Sequence, residues 1–535
     1  MASAAFPPMD GHGVHPYAGL CLYTLLEQRA ATLGDKPFVT FCPFYGEERV
    51  LSYRQMHQGA ASLAGWLQQN GVSRGDRLLI HADNTPEILT AIFAAAAIGA
   101  IPVTTNTRSS RDELQYFVHA ARPSLIIASP AHLPLIGRLD LAAGVRVLTT
   151  AATPDAAPEA TGAPSLEDVR REGLSPPRAA ADPRAPGLIQ FTSGTTARPK
   201  GVLFTQANLL WGAQLSAIHQ GLGADDIHFV SLPLFHVNAL CYSSLATLYA
   251  GGSLILTPKF SASRFWNLSV RHRCTWASQT GFTHRVLLGR PVPERHFYRY
   301  WGNGVADTPD DAAFGVRTIG WWGMTETVSH PIITPLGLPV RPMSMGRPSF
   351  AYGVSVIDAD GAPARPGENG ALRISGTRGL SLFAGYWEDP DATRAAFDDE
   401  GRLITGDVAT LHEDGCLSFV EREKDMLKVA GENVAASEIE RVIAAAPGVE
   451  AVAVVGMPDP MRDEAPCAFV VSGVDPRDHD DLRRRIEQAC AEGLADFKRP
   501  REIHFIDELP RATLGKIRKR DLKAALQSTE TRSTS

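Results

Sequence analysis

The chain has 535 residues, of which 44% are hydrophobic and 21% charged, with a formal net charge of -6; its length predicts about three to four folding units around a cleft. The acidic balance excludes a general attraction to nucleic acid, and the lack of an apolar run near the ~18 residues that cross a bilayer excludes a membrane span. Neither a secretory nor a transit pattern opens the chain, so we expect a cytoplasmic protein. Its seven cysteines form no CxxC pair, so we expect buried thiols, no zinc site and no disulfide framework. The partners are expected to be small molecules.

Strand-like apolar runs alternate with helical segments through the first half of the chain. The runs DRLLIHA, SLIIAS, VRVLTT and SLILTP are typical of strands, and PEILTAIFAAAAIGA and SASRFWNLSVRH are typical of helices. This alternation predicts an α/β body with largely parallel sheets. Residues 151–186 are rich in Ala and Pro, which indicates a surface excursion.

The stretch GLIQFTSGTTARPKGV follows that excursion and reads as a strand, a loop and a second apolar run before a helix that begins near Gln206. Backbone N–H groups freed by glycine, together with hydroxyl groups, surround phosphate oxygens well, and a lysine adds a point charge. The stretch does not have the spacing of a Walker A loop. It predicts a polyphosphate site, and on composition alone a polar surface turn remains an alternative. The candidate ligands are Thr192, Ser193, Gly194, Thr195, Thr196 and Lys200.

The last third of the chain changes character twice. Short strands with Gly and Asp turns between about Gly353 and Val420 predict a compact β unit. After Arg422 comes a mixture of helices and strands about one hundred residues long, which suits an independent domain. We therefore expect a large domain over 1–423 and a small one over 424–535, with 1–18 and 524–535 disordered.

Several motifs, taken in chain order, resemble those of one known superfamily. They are TSGTTARPKGV, SLPLFH (231–236), WGMTET (322–327), LITGDVA (403–409), EREKDMLKVAGENV (421–434) and LPRATLGKIRK (509–519). Together they resemble the AMP-forming adenylating enzymes, which include acyl-CoA synthetases, luciferases and peptide-synthetase adenylation domains, over about residues 20–525. Among the subfamilies, TTARPKGV, KFSASRFW, GENV and RDEA look most like crotonobetaine/carnitine-CoA ligases.

The resemblance implies a fold, a reaction and its small molecules. The fold would have a large N-terminal domain of layered β and α subdomains and a small, mobile α+β C-terminal domain. The reaction would join a carboxylate to ATP, giving acyl-AMP and pyrophosphate, and then pass the acyl group to coenzyme A with release of AMP. ATP, Mg²⁺ and coenzyme A are thus the expected cofactors and substrates, and a homodimer is left open.

The resemblance also implies roles around the phosphates of ATP. The loop hydroxyls and Lys200 would hold the β and γ phosphates, which makes pyrophosphate a better leaving group. Glu326 would bind Mg²⁺, which prefers hard oxygen ligands, and Thr325 would contact a phosphate. Lys516 would be the cation that stabilises charge as the carboxylate attacks the α-phosphate; a solvated basic helix is its alternative reading.

Other implied roles concern the nucleoside and the second half-reaction. Trp322 stands where the family commonly has a tyrosine that stacks on adenine, and an indole keeps an aromatic face there. Asp407 would accept hydrogen bonds from the ribose hydroxyls. Arg422 would donate to the same sugar region. His236 would act as a gate that guards the approach of the carboxylate. Lys424 would be the hinge about which the C-terminal domain rotates, and Gly431 would lie in the loop that faces the thioester-forming site.

The acyl pocket is implied at four places along the chain. Its predicted lining is Val237 and Asn238; Gln279, Thr280 and Gly281; Gly302, Asn303 and Gly304; Trp321 and Met324. Val237 stands where amino-acid-activating relatives carry an Asp, which disfavours an α-amino acid. The small glycine and threonine positions suggest a bulky or ring-containing acid, and Trp321 is either a core residue or part of the lining.

Three alternatives to a coenzyme A ligase remain at the level of sequence. In the first, the acyl group of acyl-AMP would pass to the phosphopantetheine of a carrier protein, although we expect no carrier domain within these 535 residues. The protein would instead be a non-catalytic relative that only binds nucleotide, although the residues assigned to catalysis are all present. A nucleic-acid-binding protein would need a basic stripe longer than the run at 516–520.

Overall fold

The computed structural model describes residues 15–150, 164–171, 181–192, 198–422, 426–510, 517–519 and 521–526. Its strands, numbered in chain order, are β1 (Pro37–Phe41), β2 (Arg49–Ser52), β3 (Arg77–His81), β4 (Ile101–Thr104), β5 (Leu125–Ala128), β6 (Arg146–Thr149), β7 (Pro186–Thr192), β8 (Lys200–Thr205), β9 (Ile227–Val230), β10 (Ser253–Leu256), β11 (Trp276–Ser278), β12 (Tyr300–Asn303), β13 (Arg317–Trp322), β14 (Ile332–Ile333), β15 (Arg347–Pro348), β16 (Gly353–Ile357), β17 (Asn369–Ser375), β18 (Gly385–Tyr386), β19 (Leu403–Leu411), β20 (Leu417–Arg422), β21 (Met426–Val429), β22 (Glu432–Ala435), β23 (Val449–Asp459), β24 (Asp463–Ser472) and β25 (Glu502–Ile506).

The α-helices alternate with these strands over the first 330 residues. They are α1 (Leu22–Leu33), α2 (Tyr53–Gln69), α3 (Pro86–Ile98), α4 (Arg111–Ala121), α5 (Leu133–Ile136), α6 (Leu166–Arg171), α7 (Gln206–His219), α8 (Ala246–Ala250), α9 (Ala262–Arg271), α10 (Gly281–Leu288), α11 (Asp311–Phe314), α12 (Pro390–Ala395), α13 (Ala436–Ala444) and α14 (His479–Gly493). Residues Asn238–Leu245 form a π-helical segment, and short 3-10 turns cover Pro130–His132, Thr325–Thr327, Pro476–Asp478 and Asp496–Lys498.

The local sequence explains where the helices begin and end. Helix α3 begins with Pro86, whose fixed φ suits the first helical turn, and ends at Gly99, which takes a left-handed φ of 73°. It is buried on almost every side, as expected of a helix that is apolar all round. Helix α7 begins at Gln206, as predicted, because the Thr205 hydroxyl accepts a hydrogen bond from the backbone N–H of Asn208. The quoted strand and helix runs are thus confirmed.

Two large sheets form the body of the described chain. The first has the order β15-β14-β13-β12-β11-β9-β10-β1-β2, and its strands from β13 to β1 are parallel. The second has the order β18-β8-β7-β4-β3-β5-β6, and its strands from β7 to β6 are parallel. This confirms the predicted α/β body with largely parallel sheets.

The parallel strands bring the sequence motifs to one edge of the first sheet. Strand β9 leads into 231–236, β11 into 279–281, β12 into 303–304 and β13 into 323–327. Ligands of parallel α/β sheets bind beyond the carboxyl ends of the strands. The topology alone therefore gathers four of the motifs at a candidate site.

Two smaller sheets follow. The predicted compact β unit is the antiparallel sheet β16-β17-β19-β20. The C-terminal sheet has the order β22-β21-β24-β23, with β25 parallel to β24, and it shares a separate hydrophobic core with α13 and α14, centred on residues such as Val429, Ile439 and Ile486. That separate core supports the expected small domain, and its exact boundary at 423/424 remains a prediction because 423–425 lie outside the described residues.

The ends of the chain are only partly described. Tyr17, inside the segment 1–18 expected to be disordered, is buried, and its hydroxyl donates to the side chain of Gln214 at 2.6 Å. Residues 524–526, at the other end, are helical, and 1–14 and 527–535 lie outside the described residues. All seven cysteine side chains are buried, as predicted. Among the described residues, no helix combines the length and the apolar character that crossing a membrane requires.

Candidate active site

The predicted phosphate loop begins and ends on two paired strands. Thr192 ends β7 and Lys200 begins β8, and these residues are partners across the antiparallel pair. The ends of the loop are thereby held together at the edge of the second sheet. The other predicted ligands, Ser193, Gly194, Thr195 and Thr196, lie outside the described residues.

Lys200 and Glu326 are brought together through a tyrosine that the sequence analysis missed. The Tyr386 hydroxyl donates to Oε1 of Glu326 at 2.8 Å, and Nζ of Lys200 lies 4.9 Å from the centre of the Tyr386 ring. Burial, reinforced by the charge of Glu326, raises the pKa of Tyr386 well above its usual value, so the phenol stays protonated and remains a donor. Tyr386 stands in a two-residue strand with no distinctive spacing, and the sequence alone offered no signal for it.

Glu326 has the chemistry expected of a Mg²⁺ ligand. It lies in the turn after β13, next to Thr325, and its side chain is buried. A buried carboxylate is stable only with a hydrogen-bonding or cationic partner, and Tyr386 donates such a hydrogen bond to its Oε1. Hard oxygen donors of this kind fit Mg²⁺.

Two of the predicted nucleoside contacts, Trp322 and Asp407, bind each other. The Trp322 indole N–H donates to Oδ2 of Asp407 at 2.9 Å, and both side chains are buried. Arg422 is the backbone partner of Asp407 across β19 and β20. The indole that we expect to cover adenine is thus fixed by the carboxylate that we expect to bind ribose, a coupling that the sequence did not reveal.

The C-terminal sheet contacts the predicted gate. Nε2 of His236 donates to the carboxylate of Glu432, with distances of 3.0 and 3.1 Å to its two oxygens. Burial by itself lowers the pKa of His236, but the charge and hydrogen bond of Glu432 outweigh it and raise that pKa above its usual value. For Glu432 burial acts in the opposite sense, and the charge of His236 outweighs it and lowers the pKa. Glu432 is a second contact residue that the sequence analysis did not single out.

The hairpin between β21 and β22 lies against the predicted entrance of the acyl pocket. Gly431, at its tip, has a φ of +87°, and a Cβ added there would lie 3.5 Å from Oγ1 of Thr280. Nearby, Arg285 and Asp463 form an ion pair of 2.6 Å. The hairpin therefore stands between Thr280 and the gate residue His236.

The remaining predicted pocket residues surround one end of the first sheet. Val237 precedes the π-helical segment and Asn238 begins it, while Gly281 begins α10. Gly302 and Asn303 end β12 and Gly304 follows. Trp321 is near the end of β13 and Met324 follows that strand. Two of them keep a buried polar atom without a hydrogen-bond partner, namely Oδ1 of Asn238 and Nε2 of Gln279. Such atoms cost about 1–3 kcal/mol each when left unpaired, so they are candidates for contact with a ligand.

Besides the phosphate loop, other predicted residues cannot be placed in this site. Lys516 and Lys424 lie outside the described residues, and the side chain of Arg422 does so as well. Close to Lys516 along the chain, Lys519 forms an ion pair of 2.6 Å with Glu440 in α13. The roles of Lys516 and Lys424 remain predictions.

Comparison with known proteins gives consistent matches over most of the chain. The family model "AMP-binding enzyme" matches residues 26–387, and "AMP-binding enzyme C-terminal domain" matches 438–516. A crotonobetaine/carnitine-CoA ligase of Citrobacter koseri is 32% identical over 94% of this chain and 99% of its own length. A similar structure is ATP-bound MatB from Rhodopseudomonas palustris, at 27% identity and a TM-score of 0.67, with 94% of this chain and 98% of that chain covered. The fold is also that of an o-succinylbenzoate CoA synthetase from Bacillus subtilis, at 23% identity and a TM-score of 0.79 over 94% of this chain and 98% of that one.

Proposed function

The chain belongs to the AMP-binding enzyme family, and from this premise we propose that it is an ATP-dependent acyl-CoA synthetase, an AMP-forming acid–thiol ligase. In the first half-reaction a carboxylate oxygen attacks the α-phosphorus of ATP, giving acyl-AMP as pyrophosphate leaves. In the second, the thiol of coenzyme A attacks the acyl carbon and AMP leaves. Two of the similar proteins named above, the crotonobetaine/carnitine-CoA ligase and the o-succinylbenzoate CoA synthetase, join acids to coenzyme A according to their names.

The observation that carries this proposal is the convergence of separated motifs on one site. Lys200, Tyr386 and Glu326 form one continuous group, and the bonded pair of Trp322 and Asp407 begins only four residues before Glu326 in the chain. Cation, buried carboxylate, aromatic face and ribose acceptor are the groups that a magnesium nucleotide requires. They come from four different strands or turns.

Each of the predicted residues would have its own role in adenylation. Lys200 and the hydroxyls of 192–196 would hold the β and γ phosphates, and Lys516 would neutralise charge at the α-phosphate, each such contact being worth on the order of 3 kcal/mol. Thr325 would orient a phosphate oxygen, while Trp322, Asp407 and Arg422 would hold the nucleoside. Glu326 would hold Mg²⁺, which when bound neutralises charge on the phosphate oxygens.

The second half-reaction would use the C-terminal hairpin. The contact of Glu432 with His236 and the approach of Gly431 to Thr280 support an arrangement in which this hairpin, rather than Lys516, faces the acyl group. A rotation about Lys424 would exchange the two faces, because a hinge residue absorbs the backbone rotation between bodies. A cytoplasmic location and a possible homodimer stay predictions from the sequence.

The test is acid-dependent release of AMP and pyrophosphate from ATP with Mg²⁺, with and without coenzyme A, followed by mass analysis of the thioester. We expect pyrophosphate with an accepted acid and an acyl-CoA only when coenzyme A is added. Lys200→Gln should reduce pyrophosphate release at least ~100-fold, whereas Lys523→Gln, which removes a half-exposed cation paired with Glu464, should not. AMP release that requires a carrier protein and does not respond to coenzyme A would show that the acyl acceptor is the phosphopantetheine of a carrier protein.

A further inference from the structure

The indole of Trp321 fills the space that Gly302 leaves open in the sheet. A Cβ built on Gly302 would lie 1.7 Å from Cη2 of Trp321 and 2.2 to 2.3 Å from its neighbouring ring atoms. Gly302 pairs with Ile319 in the parallel register of β12 and β13, and side chains alternate along a strand, so residues 302, 319 and 321 face the same side. The volume that a side chain at position 302 would take belongs to this indole.

Other aromatic rings hold the indole in that place. The His330 ring stacks on it with centroids 4.6 Å apart and planes 21° apart, and Tyr242 meets its edge at 6.2 Å. Trp321 is 7% exposed, Tyr242 4% and His330 0%. Burial lowers the pKa of His330 well below its usual value, so this imidazole packs as a neutral ring. An indole wedged between a sheet and two buried rings has little freedom to swing away.

The same face of the sheet is covered by the π-helical segment that follows the predicted gate residue His236. Oγ of Ser243, in that segment, lies 3.1 Å from Oγ of Ser278 at the end of β11, and Tyr242 comes from the same segment. Gly304, nearer the carboxyl edge, has nothing within 4 Å of a Cβ built on it. Free space thus exists over Gly304, at the mouth of the predicted acyl pocket, and ends at the indole over Gly302.

We infer that Trp321 is the floor of the acyl pocket and that the carboxylic acid is a short aliphatic one. This inference rests on the proposed acyl-CoA synthetase function and adds its substrate class. The small glycine and threonine positions of the predicted pocket favour a bulky or ring-containing acid, but that prediction needs the space over Gly302 to be empty. The structure fills it with the largest side chain available.

The test compares butyrate with octanoate and benzoate in acid-dependent pyrophosphate release, for the wild type and for Trp321→Ala. For the wild type we expect kcat/KM to be at least ~100-fold higher with butyrate, since a closed pocket discriminates by about 10- to 200-fold for even small additions. Trp321→Ala should raise kcat/KM for octanoate and benzoate at least ~10-fold and lower it for butyrate, which loses its contact with the ring. Trp321→Phe, which keeps a buried aromatic ring, should give intermediate values.

A matched control lies one residue from Gly302. Trp301 is also buried, but it points to the opposite face of β12, where it packs 4.9 Å from Phe314 and 5.5 Å from Trp266. Trp301→Phe should keep the wild-type ranking of acids whatever it does to stability. Trp321→Phe and Trp301→Phe thus separate a change of pocket depth from a general loosening of the sheet.

The outcomes are distinguishable from a failure of the proposed function. A wild type that prefers octanoate, benzoate or a trimethylammonium-bearing acid to butyrate would overturn the inference and leave the synthetase function standing. An unchanged ranking in both folded Trp321 variants would overturn it too. If no acid yields pyrophosphate with any of the proteins, the proposed function fails and this inference fails with it.

Discussion

At the scale of single residues, the pair formed by His236 and Glu432 gives the site a dependence on pH. The His236 side chain is 44% exposed and that of Glu432 is 15% exposed, so the pair lies at the boundary between solvent and the site. Partnering raises the pKa of His236 and lowers that of Glu432. The stabilisation that charged His236 contributes is fully present below its unpaired pKa of about 6.5 and is lost as pH rises through its raised pKa. The stabilisation that ionised Glu432 contributes is lost as pH falls through its lowered pKa.

Glu432→Gln should therefore lower the pKa of His236, because the charge that opposes burial is gone and burial then favours the neutral ring. An NMR titration of the imidazole measures this directly. We expect a pKa above the usual value in the wild type and a clear decrease in the variant. Glu464→Gln removes a carboxylate from the same small sheet, where it pairs with Lys523, and should leave the titration unchanged. Identical His236 titrations in wild type and Glu432→Gln would refute this account of the gate.

At the scale of elements, strand β13 depends on a glycine that lets two neighbouring backbones approach it. A Cβ on Gly320 would lie 2.4 Å from the carbonyl oxygen of Ser344 and 2.7 Å from the backbone nitrogen of Ala306. Backbone atoms cannot yield as the end of a side chain does, so an added methyl group must displace the strand. Trp321 and Trp322, the tryptophans of the predicted acyl and nucleotide sites, follow Gly320 directly within this strand.

Gly320→Ala should destabilise the protein by about 1–3 kcal/mol, the usual cost of overpacking a well-packed core. Unfolding in urea, followed by circular dichroism, measures the change in the free energy of unfolding. Gly304→Ala is the matched control, because a Cβ there meets nothing within 4 Å. Equal midpoints for the two variants would contradict the close backbone contact at Gly320.

The sequence predicted elements better than it predicted contacts, and the difference has a physical cause. Strand and helix periods are local, so SLILTP and PEILTAIFAAAAIGA could be assigned from their own residues. The bond from Tyr386 to Glu326 joins positions sixty residues apart, and the indole of Trp321 covers Gly302 only because β12 and β13 are neighbours. The local sequence around these residues does not predict either contact. The motif resemblance supplied Glu326, Trp322 and Asp407, whereas Tyr386 and Glu432 required the fold.

At the scale of the whole molecule, a buried lysine between two carboxylates ties α13 and the turn Asp496–Lys498, in the C-terminal part of the chain, to α4. Nζ of Lys498 lies 2.5 Å from Oε1 of Glu113, in α4, and 2.9 Å from Oε1 of Glu438, in α13. Burial by itself lowers the pKa of Lys498, but the charges of Glu438 and Glu113 outweigh it and raise the pKa, so the ammonium stays charged. Arg108 adds a second link through Asp496 at 2.6 Å. The arrangement with the hairpin at the gate is thus held from a second side.

Lys498→Met should weaken that arrangement, because it leaves Glu113 and Glu438 buried without their shared cation, and breaking a buried pair costs about 3–5 kcal/mol. If the hairpin arrangement serves the transfer to coenzyme A, single-turnover measurements should show that step slowed at least ~10-fold more than acyl-AMP formation. Arg501→Met is the control, since Arg501 pairs with Asp459 inside the C-terminal sheet alone and should spare the ratio of the two rates. Equal slowing of both half-reactions by Lys498→Met, in a protein whose thermal unfolding is unchanged, would show that this ion pair does not select between the two arrangements.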